Sequence, residues 1–99
     1  MKKGVIISGN LAQDHEFIYP YYRLLEEGIK VDVCLLEGKS VQGILGTTLP
    51  PNKDQEVKEI NNIKTEDYDI LVLPGGVKAM EKVRKEKKIK KFISKFNDQ

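Results

Sequence analysis

Two hydrophobic periods alternate along this chain. Gly4 to Ser8 is a short apolar, β-branched run with no polar alternation, as in a strand buried on both faces of a parallel sheet. Gly9–Asn10 breaks it. From Asp14 to Gly28 the period becomes helical: Phe17, Ile18, Tyr21, Leu24 and Leu25 share one side, while Arg23, Glu26 and Glu27 lie elsewhere. Asp14 reads as the N-cap and Gly28 as the C-cap. Pro20 falls inside this segment and withholds an amide from the turn before it. The regular helix is therefore expected to start near Glu16, or to kink.

The pattern then returns to strands. Lys30–Glu37 is a second strand, closed by Gly38. A turn-rich excursion follows, with strand pieces around Ser40–Gln42 and Leu45–Thr48, a stiff break at Pro50–Pro51, and at Gln55–Ile60 an alternating run that reads as a short strand. Thr65–Tyr68 is a turn or a single helical turn. Asp69–Leu73 is a third apolar strand, followed by Pro74 and two glycines. From Lys78 to Asn97, Val83, Ile89, Phe92, Ile93 and Phe96 form a helical stripe among lysines. The order β-α-β, a β excursion, then β-α, predicts an α/β layer around a parallel sheet.

Composition narrows the picture. The 99 residues suit one compact domain. The net charge of +2, from 17 basic and 15 acidic residues, gives no whole-chain field for nucleic acid or an anionic membrane. The basic run Arg84–Lys91 reads as a solvated helix face, since Phe92, Ile93 and Phe96 belong to the buried stripe and do not interleave as stacking aromatics. The apolar run after Lys2–Lys3 is far short of the roughly 7–15 residues of a signal-peptide core. No run approaches the roughly 20 apolar residues of a membrane span. A cytoplasmic protein with no nucleic-acid or membrane partner is expected. One cysteine excludes an internal disulfide. One histidine and one cysteine, far apart, make no metal site, and nothing calls for a cofactor.

Three segments together resemble the DJ-1/PfpI family of the class I glutamine amidotransferase-like superfamily, most closely its PfpI branch. They are Asp14–Val33, which resembles the family's first helix and second strand; Tyr68–Gly76, ending in Leu73-Pro74-Gly75-Gly76; and Ala79–Arg84. Gly38–Gly46 is also similar to the family's small β excursion. The resemblance implies a flavodoxin-like parallel sheet with flanking helices. It also implies cysteine-nucleophile chemistry, with peptidase, deglycase and glyoxalase-like activities in the family.

Residue roles follow from the same resemblance. Glu16 would be the first-helix glutamate that touches the nucleophilic cysteine. Gly75 or Gly76 would present a backbone amide near the oxyanion. Glu81, allowing one extra residue after the glycines, would be the glutamate that a neighbouring subunit lends to orient a histidine. The physics fits. A thiolate is tuned by nearby charges and amides, a carboxyl pressed against it favours a shared proton, and glycines let amides approach an oxyanion. The plainer readings stay beside these: Glu16 as a first-turn carboxylate favoured by the helix dipole, Gly75–Gly76 as a strand-ending turn, Glu81 as a solvated helix residue.

Two features depart from the family. Gln13 stands where PfpI-like members commonly carry an acidic residue. The family's nucleophile elbow follows the helix that here ends at Gln99, so the fold is expected to be truncated before the nucleophile-elbow strand and the chain inactive alone. Cys34, in the middle of the second strand, reads as a buried apolar residue, not a substitute nucleophile. His15 reads as a surface or cap-region residue pointing away from Glu16, and Tyr19, Tyr21 and Tyr22 as core and subunit packing. Truncation would leave Asp69–Leu73 as a long apolar edge, with self-association or a complementary C-terminal chain as the expected partner. A non-catalytic interaction module is the alternative. A receiver-like regulator fits less well, because the clustered strand-end acids that bind its metal are missing.

Overall fold

The computed structural model describes residues 2–9, 14–36, 39–43, 45–52, 54–74 and 87–97. Strands β1 (Lys3–Ser8), β2 (Lys30–Leu35), β5 (Val57–Lys58) and β6 (Ile70–Val72) form one parallel sheet in the order β5-β2-β1-β6. Strands β3 (Val41–Gln42) and β4 (Thr48–Leu49) form a separate antiparallel hairpin. Helix α1 (Asp14–Glu26) covers one face and α2 (Lys87–Asn97) the other.

β1 and β2 are apolar because both of their faces are covered. Ile6, Val31, Val33 and Leu35 pack with Phe17 and Tyr21 of α1 and with Val41 and Leu49 of the hairpin. Val5, Ile7 and Cys34 point the other way, toward Ile63, Tyr68 and Phe92, with Ile93 and Phe96 partly buried against them. Alternate residues of one strand thus serve two cores, which is what a run without polar alternation requires.

The third apolar strand, β6, lies beside β1 on the side away from β2, and the fold is the expected flavodoxin-like α/β fold. Several expectations need correction. Gln55–Ile60 holds the short strand its alternation predicts, but Val57–Lys58 joins the main sheet as a parallel edge outside β2, not the hairpin excursion. Its two alternate side chains reach opposite faces: Val57 joins the α1 core, and Lys58 reaches Asp32. The third strand is short, since only Ile70–Val72 pair with β1. Helix α1 runs unbroken through Pro20 from Asp14. Gly28 closes it with φ 76°, as a C-cap should.

One polar network crosses the α2 face of the sheet. Asp32, 5% exposed, accepts a hydrogen bond from the Tyr68 hydroxyl at 2.7 Å and pairs with Lys3 at 3.2 Å and Lys58 at 3.3 Å. Burial would raise its carboxyl, but Tyr68 and the two lysines outweigh that and hold it below the usual range. No helix among the described residues is long and apolar enough to cross a membrane.

Candidate active-site cleft

In open parallel sheets, ligands bind beyond the carboxyl ends of the strands. Here that end carries an open cleft of about 600 Å³, lined by His15, Glu16, Tyr19 and Pro20 of α1 and by Val72, Leu73 and Pro74 at the end of β6. The periodicity of α1 explains its lining. At about 100° per residue, Asp14, Phe17 and Tyr21 share one narrow arc, and all three are buried. Glu16, Tyr19 and Pro20 fall at i, i+3 and i+4 on the opposite side. Glu16 therefore leaves the first turn pointing out of the core and into the cleft wall. Pro20 has no amide to give to the Glu16 carbonyl four residues back, so that carbonyl lacks its usual helical donor.

The start of α1 is held from outside the helix. Asp14 was expected to cap its own helix. Instead its buried carboxylate accepts the Leu45 amide at 2.7 Å and the Thr47 amide at 3.0 Å, both from the β3–β4 turn. Burial pushes the Asp14 carboxyl up, but bonds from the Leu45 amide and the Thr47 hydroxyl and amide hold it below the usual range. Gly43 makes room for this contact: a Cβ there would stand 2.4 Å from the Asp14 carboxylate. Gly46 turns the chain with φ 91°, and its amide donates to the Gly43 carbonyl at 3.0 Å. The pairing of Asp14 with Gly43 was not visible in the sequence. Its only local sign was a glycine-rich turn following a short strand.

The expected site residues fare differently. Glu16 is exposed and lines the cleft. His15 was expected to point away, yet it lines the same cleft. Tyr21 is core, but Tyr19 is 71% exposed and is a cleft wall, not core packing. Gly75, Gly76 and Glu81, like Gln13, lie outside the described residues; the cleft reaches Pro74, the residue before the glycines. Cys34 is fully buried in β2, and burial, with Glu59 nearby, pushes its thiol up to about 12. Such a thiol is protonated at neutral pH and is no nucleophile. Among the described residues, no three His, Cys, Asp or Glu side chains gather as metal ligands.

An α/β protein with a parallel sheet, and with a carboxyl from its first helix facing a cleft where the strands end, is a flavodoxin-like scaffold with a strand-end cleft. Residues 2–99 match the DJ-1/PfpI family, and the chain belongs to that family. It is 39% identical over 82 residues to the deglycase PfpI of Pyrococcus furiosus, covering 83% of this chain and 46% of that protein. It is 38% identical over 92 residues to a deglycase of Pyrococcus abyssi, covering 93% and 52%. The chain spans about half the length of these curated relatives. Among solved structures, oxidised Toxoplasma gondii DJ-1 superimposes with a TM-score of 0.80 at 19% identity, over 96% of this chain and 50% of that one. A two-domain Anabaena variabilis protein with DJ-1/ThiJ/PfpI-like and ferritin-like domains gives 0.84 at 24% identity, over 100% and 27%.

Proposed function

We propose that this chain contributes the carboxyl-bearing half of a PfpI-type deglycase or hydrolase site. Glu16 tunes the nucleophile, and Gly75 or Gly76 supplies a backbone amide to the oxyanion. The observation that carries this reading is the cleft shared by Glu16 with Leu73 and Pro74, at the carboxyl end of β6. The deglycases named above supply the reaction class.

The nucleophile comes from outside these 99 residues, since their one cysteine is buried and protonated. In the assembled site a thiolate attacks a carbonyl carbon, and the developing oxyanion is met by a backbone amide. Glu16 shares a proton with the sulfur or passes one to the departing group. Glu81 orients a histidine across a subunit boundary.

The test is to join the chain to the C-terminal half of the Pyrococcus furiosus deglycase and to follow methylglyoxal turnover and peptidase activity. Turnover by the fusion, with none from the isolated chain, supports the reading. Turnover by the isolated chain that survives Cys34→Ser contradicts it. A second reading, a self-associating interaction module, is favoured by the partly exposed residues Ile70–Leu73 beside the exposed Tyr19. Light scattering on the isolated chain separates the two: a monomer at all concentrations counts against the module.

A further inference from the structure

We propose that Asp14 is a positioning residue: by clamping the β3–β4 turn it fixes the first turn of α1, and so the direction from which Glu16 enters the cleft. The proposal rests on reading Glu16 as the site carboxyl.

Helix starts fray, because the first amides have no intrahelical partner. This one has a further deficit, since Pro20 cannot donate to the Glu16 carbonyl. Something outside the helix must then hold residues 14–16. Two buried side chains bracket Glu16. Phe17 is anchored in the core, and Asp14 takes two amide bonds from the hairpin turn. The other side of the clamp is shaped to match, with the Gly43 backbone against the carboxylate, where a Cβ would collide. The hairpin is itself anchored in the same core by Val41 and Leu49. The sheet core, the hairpin and Glu16 are thereby linked through one carboxylate.

The test needs no catalysis, so it is read independently of whether the assembled site turns over. Amide exchange and 13Cα shifts are recorded by NMR on the whole chain and two variants. Asp14→Ser keeps a residue suited to a helix start but is too short to reach the hairpin amides. Gly43→Ala leaves the α1 sequence unchanged and displaces the carboxylate from the other side. Both are expected to speed exchange at Leu45 and Thr47 by about tenfold, the effect of one lost hydrogen bond. Both are also expected to shift His15 and Glu16 toward coil values, while Leu24 and Leu25 stay helical. A general loss of stability would not be confined to one end of the helix. Phe92→Leu, on the opposite face of the sheet, supplies that comparison and is expected to leave Glu16 helical. If Asp14→Ser frees the hairpin amides and Glu16 keeps its helical shift, or if neither signal moves, the proposal is overturned. If Gly43→Ala does not fold, Asp14→Ser alone decides.

Discussion

Asp14 and Asp32 are both buried carboxylates, held by different chemistry. Asp14 sits at the carboxyl end of the sheet and accepts bonds from neutral backbone amides. Asp32 lies in β2 on the α2 face and accepts from a tyrosine hydroxyl and two ammonium groups. Both are held below the usual carboxylate range, against the opposing effect of burial. The Asp32 network ties β1, β2, β5 and Tyr68, two residues before β6, into one sheet, as a structural element should. The Asp14 clamp secures a single helix start beside a cleft. A charge network crossing a sheet holds its strands together; amide bonds from a separate hairpin set the aim of one side chain.

The largest effect is expected from breaking the Asp32 side of this comparison. Asp32→Ala strands the buried Tyr68 hydroxyl and leaves two lysines facing each other. Both lysines are about a quarter exposed, which lowers the cost below that of a fully buried pair. A loss of about 2–3 kcal/mol is expected in urea unfolding. Tyr68→Phe removes one hydrogen bond and should cost about 1 kcal/mol.

Acid sharpens the contrast next. Both carboxyls are depressed, so each contributes stability that is fully present above its unfolded pKa of about 4 and is lost as pH falls through the lower folded value. Asp32→Ala should flatten the acid limb of the stability curve below about pH 4. Equal acid slopes in the parent and this variant would mean that folding does not lower the Asp32 pKa. Salt should divide the two sites. At about 1 M salt the penalty of Asp32→Ala should shrink, while faster exchange of the Leu45 amide in Asp14→Ser should not change.

Cys34 bears on the proposal that the nucleophile lies elsewhere. With its thiol pushed up to about 12, its thiolate fraction at neutral pH is roughly 10³-fold below that of a free cysteine. Thiol reagents should label it only on unfolding. The smallest effect on stability is expected at the cleft wall, where Tyr19→Ala should stay within about 0.5 kcal/mol.

The two periods in the hydrophobic pattern were enough to read β1, α1, β2, β6 and the α/β class, because those elements bury one stripe or two faces and spacing records burial. The place of Val57–Lys58 in the main sheet was not readable. Two paired residues carry almost no periodicity, and Lys58 is drawn in by Asp32, 26 positions away in sequence. Glu16 was legible only through family resemblance, since a first-turn glutamate looks the same with or without a cleft. The cleft-wall positions of His15 and Tyr19 were not legible, because a cleft between α1 and the end of β6 leaves no mark in either segment. The role of Asp14 stayed hidden because its partners are backbone amides, which any sequence supplies.

Glu16 as the site carboxyl of a PfpI-type centre is tested by kcat for methylglyoxal in the fusion protein, with Glu16 and with Glu16→Gln. The account predicts a loss of roughly 10²–10⁴-fold, the scale of general acid–base catalysis, with the fold unchanged by circular dichroism. A Glu16→Gln fusion that turns over at the parental rate would contradict it.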